Sequence, residues 1–278
     1  MIDRYAVFGN PIAHSKSPLI HAAFAQSLGH TIEYTTKLVP VDGFATALNA
    51  YVSSGAKGAN VTLPFKIEAC TCAHRLHDRA RIAQAANCLK FDGHEIIAEN
   101  FDGIGMVRDI ERNHRTAIGG SRVLVLGAGG AARGILQPLI ESGAKEIVVW
   151  NRTAEKARSL SEQFDRVVPT AQLTADIGAF DMVVNATSTA LSDQDLTIPA
   201  SVFAPRALAY ELAYGKGLTP FLRQAQAAGV THLADGVGML IEQAAEAYQW
   251  WRGQRPQTQA LIERFSVPLV STPSVGQV

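Results

Sequence analysis

Three small residues at a fixed spacing, Gly127, Gly129 and Ala132, carry the clearest chemical signal in this sequence. In a G-x-G-x-x-A pattern the first glycine permits a tight turn and the second lets backbone approach a pyrophosphate. The small third residue lets the following helix lie close to the preceding strand. The N–H groups at the start of that helix then face the phosphates of a dinucleotide. The pattern is weak evidence alone and strong evidence between two strands, where it stands here.

A second group of residues indicates which dinucleotide binds. NAD-binding units usually place Asp or Glu about twenty residues further on, at the ribose 2′-hydroxyl. Here Arg152 stands at that position, within Asn151-Arg152-Thr153, and Lys156 follows one helical turn later. A guanidinium suits a phosphate, and cations at a helix start oppose the helix dipole unless they have another role. Arg152 and Lys156 could instead belong to a helix start that only contacts solvent. We predict that they bind the 2′-phosphate and that the cofactor is NADP.

Five polar clusters stand where a predicted strand ends or a predicted helix begins. They are Ser15 with Ser17, Asn60 with Thr62 and Lys66, Asn87, Asn100 with Asp102, and residues 235–243. Ligands of open α/β sheets bind outside the carboxyl ends of the strands, so the set as a whole indicates a binding site. Singly, Ser17, Thr62 and Asp102 could instead cap helices. Asn87 could instead form a turn.

The elements that must position these residues alternate between strand and helix. Strands at 5–8, 34–39 and 58–62, with helices from 18, 43 and 65, predict a mostly parallel sheet. A hairpin follows at 88–97, turning at Asp92-Gly93. Strands at 123–126 and 146–150 flank the glycine pattern, and further strands are predicted at 181–187 and 207–212. Thr219-Pro220 caps a helix, and a last helix covers 239–252. The fold class is therefore α/β, with a Rossmann-type doubly wound domain in the second half.

Composition limits the class of protein. A length of 278 residues, 47% of them hydrophobic, suffices for two cores. The 25 basic and 25 acidic residues balance, which argues against nucleic acid or an anionic membrane as partner. Three cysteines without framework spacing suit a reducing compartment, and we see neither a signal peptide nor a spanning segment. We expect a soluble, cytoplasmic protein.

A metal site is the weaker hypothesis. Cys70, His74 and His77 would share one face of the helix predicted from residue 65. They lack a fourth ligand at the spacing usual for zinc, so we expect a half-buried helix face and no metal.

Several of these segments together resemble the shikimate dehydrogenase family. Residues 9–18, G-N-P-I-A-H-S-K-S-P, resemble its opening motif. Residues 58–66, G-A-N-V-T-L-P-F-K, are similar to its G-A-N-V-T-x-P-F-K segment. The match continues in the family's order through 100–103, 127–133, 151–153, 185–188 and 235–240. It covers nearly the whole chain, from Tyr5 to about Trp251.

The resemblance implies an activity and a domain organisation. The activity is NADPH-dependent reduction of the 3-keto group of 3-dehydroshikimate to shikimate, and the reverse, in chorismate and aromatic amino acid biosynthesis. Residues 1–103, completed by the C-terminal helices at 239–278, would form the substrate-binding domain. Residues 104–238 would form the NADP-binding Rossmann domain, with a cleft between the two. The implied partner is a small-molecule substrate, with no nucleic acid or membrane; monomer and homodimer both stay open.

The resemblance also implies roles for individual residues. Ser15 and Ser17 would hold the substrate carboxylate, and Lys66 with Asp102 would flank the reacting carbon as the catalytic pair. The residues that would bind or border the rest of the substrate are Asn60, Thr62, Asn87, Tyr214 and Gln243. The cofactor would be bound by Gly127, Ala128, Gly129, Gly130, Ala131, Asn151, Arg152, Thr153, Lys156, Thr187 and Gly236.

Elementary chemistry supports the roles of the catalytic pair. Hydride addition leaves oxyanion character on the carbonyl oxygen, which needs a proton or a cation beside it. Lysine is almost wholly protonated near neutral pH, so Lys66 suits the reducing direction as proton donor. We expect Asp102 to accept a substrate hydroxyl and to orient Lys66 rather than to abstract a proton.

Three positions depart from the family's pattern. Phe101 and Cys88 stand where threonine is usual, and Ala190 stands where glycine is usual. If the ring of Phe101 faces the catalytic pair, a substrate group left unpaired there would cost about 1–3 kcal/mol. The alternatives are then a divergent paralogue with weak shikimate turnover or a preference for quinate or aminoshikimate, or a non-catalytic metabolite sensor. A Phe101 ring that points elsewhere removes the objection.

Overall fold

A computed structural model describes residues 2–187 and 196–269, and the chain divides into two compact units. Unit 1 contains the chain up to Asp109, together with Arg133–Leu139 and Met239–Leu261. Unit 2 contains Ile110–Ala132, Ile140–Gly238 and the chain from Ile262. Unit 1 thus extends past residue 103, takes in part of the helix after the glycine pattern, and does not include the residues after Leu261.

Unit 1 is built on a six-stranded sheet. Its strands are β1 (Asp3–Gly9), β2 (Ile32–Leu38), β3 (Gly58–Val61), β4 (Arg75–Leu76), β5 (Cys88–Asp92) and β6 (Glu95–Glu99). They lie in the order β2-β1-β3-β5-β6-β4. β1 is parallel to β2 and β3, β4 is parallel to β6, and β5 is antiparallel to both its neighbours. The predicted sheet and hairpin are confirmed, because the alternation of strand and helix and the Asp-Gly turn each have a local sequence cause.

The helices of unit 1 pack on this sheet, and three of them begin at a predicted site residue: Ser17, Lys66 or Asp102. The helices are α1 (Ser17–Leu28), α2 (Phe44–Ser53), α3 (Lys66–Cys72), α4 (Asp78–Ala83) and α5 (Asp102–Arg108). The core joins the inward faces of the strands to α2 and α3, with Phe8, Phe44 and Phe65 each at most 1% exposed. Phe65 stacks on Phe44 with ring centroids 4.9 Å apart, which fixes the start of α3 and therefore the position of Lys66.

Unit 2 is an all-parallel sheet. Its strands are β7 (Arg122–Leu126), β8 (Glu146–Trp150), β9 (Val167–Thr170), β10 (Phe180–Asn185), β11 (Phe203–Glu211) and β12 (His232–Asp235). They lie in the order β12-β11-β10-β7-β8-β9. Its helices are α6 (Gly130–Glu141), α7 (Ala154–Ser161) and α8 (Pro220–Ala227). This is the doubly wound arrangement, with the strand order reversing beside β7, and it confirms the Rossmann prediction.

The sequence did not predict the edge strands β9 and β12. Each has four residues; Pro169 interrupts the apolar run of β9, and His232 and Asp235 bound that of β12. Neither carries a period long enough to identify it. The chain continues into α9 (Val237–Arg252) and α10 (Gln259–Phe265).

Helix starts separate capping residues from site residues. Thr219 caps α8 as predicted, its hydroxyl accepting from the N–H of Leu222 at 3.3 Å. The capping hypothesis is wrong for Ser17 and Asp102, which are the first residues of α1 and α5. Neither helix has a side-chain cap at the preceding residue. Both side chains are therefore available for other contacts.

The proposed shared face of Cys70, His74 and His77 is also wrong, because α3 ends at Cys72. His74 instead accepts a hydrogen bond from the N–H of Ile96 at 2.9 Å. Within residues 2–187 and 196–269 there is no cluster of three metal-binding side chains. In the same ranges no helix has the length and apolar character needed to cross a membrane.

Candidate active site

Lys66 and Asp102 form an ion pair in unit 1, at the first residues of α3 and α5. The ammonium nitrogen lies 2.5 Å from Oδ2 of Asp102. The lysine side chain is 23% exposed and the carboxylate 9%, so the carboxylate is mostly shielded from water and the lysine side chain is less so. An ammonium and a carboxylate far apart in sequence thus meet as predicted, with the ammonium side still open to a ligand.

The segment before Asp102 is held by its own side chains. Oδ1 of Asn100 accepts the N–H of Asp102 at 3.0 Å, and its amide donates to the carbonyl of Ala85 at 3.0 Å. Glu99 accepts from the N–H of Asn100 at 2.7 Å and from Arg79 at 2.8 Å. These hydrogen bonds hold the turn before Asp102 in one conformation, and this fixes the position of its carboxylate. The sequence singled out neither Glu99 nor Arg79.

Asn87 connects Asp102 to the last long helix. Its buried amide donates to Oδ1 of Asp102 at 2.8 Å and to Oε1 of Gln243 at 3.1 Å, and accepts the N–H of Phe101 at 2.9 Å. Both N–H hydrogens are thereby used, so a ligand can reach only the remaining lone pair of its oxygen. Gln243 comes this close because Gly105 has no side chain: a Cβ there would lie 2.8 Å from Cβ of Gln243.

Asn60 and Ser17 are joined by a tyrosine that the sequence analysis missed. The hydroxyl of Tyr34 donates to Oδ1 of Asn60 at 2.7 Å and also hydrogen-bonds Ser17. Because its one hydrogen goes to Asn60, its oxygen accepts from Ser17. Asn60 in turn donates to the carbonyl of Asn87 at 3.2 Å. Burial raises the pKa of Tyr34 well above its usual value. The only signal in the sequence was an inward-facing position on β2.

Ser15 and Thr62 are the last two of the predicted polar site residues in unit 1. Oγ of Ser15 accepts the N–H of Ser17 at 3.3 Å, which keeps the two serines adjacent. Thr62 follows β3, its N–H donating to the carbonyl of Phe8 at 2.9 Å. A continuous set of hydrogen bonds therefore runs from the paired serines to the ion pair, with Gln243 attached at Asn87, so each of the five predicted clusters contributes a residue to it.

Phe101 packs into an apolar cluster of its own. It is 4% exposed and shares that cluster with Cys88 and Ala247, with its ring centroid 5.8 Å from that of Trp250. The guanidinium of Arg79 lies 5.5 Å from the centre of the ring. Phe101 and Cys88, the two residues that stand where the family usually has threonine, therefore contact the same apolar cluster. The ring of Phe101 packs in this cluster and does not lie beside Lys66.

The glycine pattern forms the turn predicted for it in unit 2. Gly127 has a φ of +109°, and a Cβ there would lie 3.0 Å from the carbonyl oxygen of Ala186. Gly129, Gly130 and Ala131 are exposed at the start of α6, whereas Ala128 is buried. Exposed N–H groups on small residues at a helix start are what a pyrophosphate requires.

Asn151 connects this turn to the predicted 2′-phosphate residues. Its oxygen accepts the N–H of Ala128 at 3.1 Å and its amide donates to the carbonyl of Thr153 at 2.9 Å. Arg152, Thr153 and Lys156 are all exposed. The residues of unit 2 therefore fit a dinucleotide with a 2′-phosphate: a glycine turn, a helix start, and two cations of which Arg152 precedes α7 and Lys156 lies in its first turn.

The remaining predicted residues also lie in unit 2. Thr187 follows β10, its N–H and hydroxyl donating to Oδ1 of Asn185 at 3.1 and 2.6 Å. Gly236 is buried and its N–H donates to the carbonyl of Ala213 at 3.1 Å. Tyr214 is 37% exposed. Ala190 lies outside the described residues.

The chain resembles known proteins over nearly its whole length. Residues 7–89 match the family model of the shikimate dehydrogenase substrate binding domain. Residues 110–193 match that of shikimate / quinate 5-dehydrogenase, and residues 236–264 that of the shikimate 5′-dehydrogenase C-terminal domain. A shikimate dehydrogenase (NADP(+)) from Dechloromonas aromatica is 48% identical over 98% of this chain and 100% of its own length.

Solved structures give the same result. The crystal structure of an Ael1 enzyme from Pseudomonas putida has a TM-score of 0.92 at 50% identity, covering 96% of this chain and 100% of that one. Shikimate 5-dehydrogenase from Thermus thermophilus, solved in complex with NADP(H) and shikimate, has a TM-score of 0.84 at 31% identity. That comparison covers 95% of this chain and 98% of that one.

Proposed function

We propose that this chain, which belongs to the shikimate dehydrogenase family, catalyses the reversible NADPH-dependent reduction of 3-dehydroshikimate to shikimate. The observation that carries the proposal is the Lys66–Asp102 pair, 2.5 Å apart and linked through Asn87 to Gln243 and Asn60. When bound, NADPH supplies the hydride. Every other part of the reaction is assigned to residues of the chain.

Lys66 holds and moves the proton. As the 3-keto carbon becomes tetrahedral, its oxygen gains negative charge and takes a proton from the ammonium of Lys66, which yields the hydroxyl of shikimate. In the reverse direction neutral Lys66 takes that proton back. Asp102 fixes the ammonium through Oδ2 and is itself fixed by Asn87 through Oδ1. The pair is thus preorganised before substrate arrives.

Unit 1 binds the substrate in this proposal. Ser15 and Ser17 hold the carboxylate. The groups for the ring hydroxyls are Asn60, Thr62, Asn87 and Gln243. The family resemblance also implies that Tyr214, which belongs to unit 2, borders the substrate. Asn60 donates one amide hydrogen to the carbonyl of Asn87, and Gln243 donates one to the carbonyl of Leu240 at 2.8 Å. Each therefore keeps a second amide hydrogen that can be donated to a substrate hydroxyl.

Unit 2 binds NADP in this proposal. The exposed N–H groups at the start of α6 face the pyrophosphate, and Arg152 and Lys156 take the 2′-phosphate. Thr187 and Gly236, at the ends of β10 and β12, border the nicotinamide end. We further propose a cytoplasmic enzyme, supported by three unpaired cysteines. Monomer and homodimer are equally compatible with it.

Quinate and aminoshikimate are the rival substrates, and a silent metabolite sensor is the rival class. The packing of Phe101 against Trp250 supports shikimate, because it removes the reason for expecting an unpaired substrate group. Following NADPH formation with shikimate, quinate and aminoshikimate separates the three. Turnover of shikimate at least tenfold above the others supports the proposal, and binding without turnover identifies a sensor.

Lys66→Ala tests the mechanism. We expect kcat to fall by roughly 10²- to 10⁴-fold with little change in KM for shikimate, because the group that accepts the hydroxyl proton in this direction acts in the transition state. The matched control is Lys57→Ala, an exposed lysine of the same unit, which should keep wild-type rates. A kcat within about threefold of wild type for Lys66→Ala would remove Lys66 from the mechanism.

A further inference from the structure

Glu211 is a buried carboxylate at the carboxyl end of β11. It is 0% exposed, and its two oxygens accept from three uncharged donors. Oε2 accepts the amide of Asn185 at 2.9 Å and the hydroxyl of Thr219 at 2.9 Å, and Oε1 accepts the N–H of Ala213 at 3.3 Å. Burial raises its pKa, an effect opposed by these hydrogen bonds and reinforced by neighbouring Asp235.

A buried carboxylate with only uncharged partners contributes little to the stability of a fold. A buried carboxylate costs free energy of desolvation, and uncharged donors return only part of it. What a carboxylate offers that an amide does not is that both oxygens only accept. Every neighbour of Glu211 must therefore present a hydrogen, and this decides which way the amide of Asn185 is turned.

The orientation of Asn185 matters for the residue after it. With its N–H₂ turned to Glu211, Asn185 presents Oδ1 to Thr187, whose N–H and hydroxyl both donate to it. Thr187 is the residue assigned above to the nicotinamide end of the cofactor. Because Glu211 can only accept, it sets the orientation of the Asn185 amide, and that orientation in turn fixes Thr187 at the end of β10.

Glu211 also holds the loop that carries Tyr214. Its Oε1 binds the N–H of Ala213, and Asp235, its partner on β12, accepts the N–H of Gly215 at 3.1 Å. The residues on both sides of Tyr214 are therefore tied to carboxylates at adjacent strand ends.

We propose that Glu211 is a positioning residue for the dinucleotide: it fixes the amide of Asn185 so that Thr187 and the loop at 213–215 stand ready to receive the nicotinamide end. The inference rests on the proposed function, since that assigns Thr187 to the cofactor. Glu211 touches no reacting atom and acts only through the orientation of its neighbours.

Glu211→Gln preserves shape but introduces a donor. If its N–H₂ faces Asn185, two donors meet; if it is turned round, it meets the N–H of Ala213. If Asn185 turns instead, the clash moves to the N–H of Thr187. Pairing Glu211→Gln with Asn185→Asp gives every group a partner again: the new amide donates to the new carboxylate, Thr187 still meets an acceptor, and the hydroxyl of Thr219 rotates to accept the second amide hydrogen.

The experiment measures dissociation constants for NADPH and NADH by nicotinamide fluorescence, together with thermal unfolding, in the full chain. We expect Glu211→Gln to weaken NADPH binding roughly tenfold. The double variant should return to within about threefold of wild type. Glu146→Gln is the matched control, because its ion pair with Arg122 is part-exposed at the amino ends of the strands, and it should bind NADPH as wild type does.

The outcomes separate the two levels of the proposal. Wild-type affinity in Glu211→Gln, or a double variant that folds but binds no better than Glu211→Gln, would overturn the positioning role whatever happens to the melting temperature. If Glu211→Gln does not fold, the double variant alone decides, since it must both fold and bind. Absence of NADPH binding by the wild type would refute the proposed function itself, and the same variants are then compared with NADH.

Discussion

Lowering the pH from about 7.5 to about 4.5 should destabilise this protein through His21. The ring lies on α1, is 0% exposed and stacks on Tyr34 with centroids 4.3 Å apart. Burial lowers the pKa of His21 from 6.5 to about 3, and outweighs the nearby Asn60 side chain, which acts in the opposite direction. Protons therefore bind the unfolded chain before they bind the folded one.

The sign and size of the effect follow from this difference in pKa. A base whose pKa is depressed by folding contributes stability above its unfolded pKa, and this is lost as the pH falls towards the folded value. Each pKa unit is worth about 1.36 kcal/mol. Between pH 6.5 and about 4.5, still above the folded pKa, His21 should therefore remove about 2–3 kcal/mol from the free energy of unfolding.

Urea denaturation at the two pH values measures this loss. His21→Phe keeps an aromatic ring on Tyr34 but cannot titrate, so it should lose about 2–3 kcal/mol less than wild type on acidification. Any fixed packing cost of the larger ring cancels, because it is present at both pH values. His94→Phe, at an exposed position beside the β5–β6 turn, is the matched control and should follow wild type. Equal losses of unfolding free energy in wild type and His21→Phe on acidification would show that His21 is not the group responsible.

Three further variants test the remaining assignments. Arg152→Asp should weaken NADPH binding roughly ten- to a hundredfold and shift the kcat/KM ratio towards NADH, whereas Arg158→Asp, on the helix α7 that follows Arg152, should not; an unchanged ratio contradicts the 2′-phosphate assignment. Phe101→Thr should lower the free energy of unfolding by about 3 kcal/mol in urea titrations without changing KM for shikimate, and a tenfold lower KM would show that the ring blocks the substrate. Tyr34→Phe should raise KM for shikimate about tenfold with KM for NADP unchanged, because Asn60 loses its donor. Tyr248→Phe, whose hydroxyl meets His30 instead, is its control, and equal KM values in the two variants would exclude a positioning role for Tyr34.

Features with a local cause could be predicted from the sequence. The Asp92-Gly93 hairpin and the Thr219 cap each follow from residues within a few positions of one another. The glycine turn at Gly127 likewise follows from a backbone angle that side chains rarely adopt. The strands β9 and β12 were missed, because four residues interrupted or bounded by Pro169 or His232 give no period to read.

The environment of a side chain could not be predicted in the same way. Phe101 was a reason for doubt in the sequence, where it stands beside Asp102. In the fold the chain turns between them, so that Phe101 packs on Trp250 and Asp102 meets Lys66. Glu211 gave no signal at all, since nothing in a strand sequence distinguishes an exposed glutamate from one that is completely buried.

The two α/β halves, the cofactor class and the residue types of the candidate site could all be predicted from local sequence, because each depends on a short spacing or on a run of apolar residues. The folded chain was needed to show that Lys66 contacts Asp102, that Tyr34 lies between Ser17 and Asn60, and that Asn87 donates both of its amide hydrogens. These are contacts between residues far apart along the chain. They depend on how strands and helices pack, and the spacing of residues along the sequence does not determine that packing.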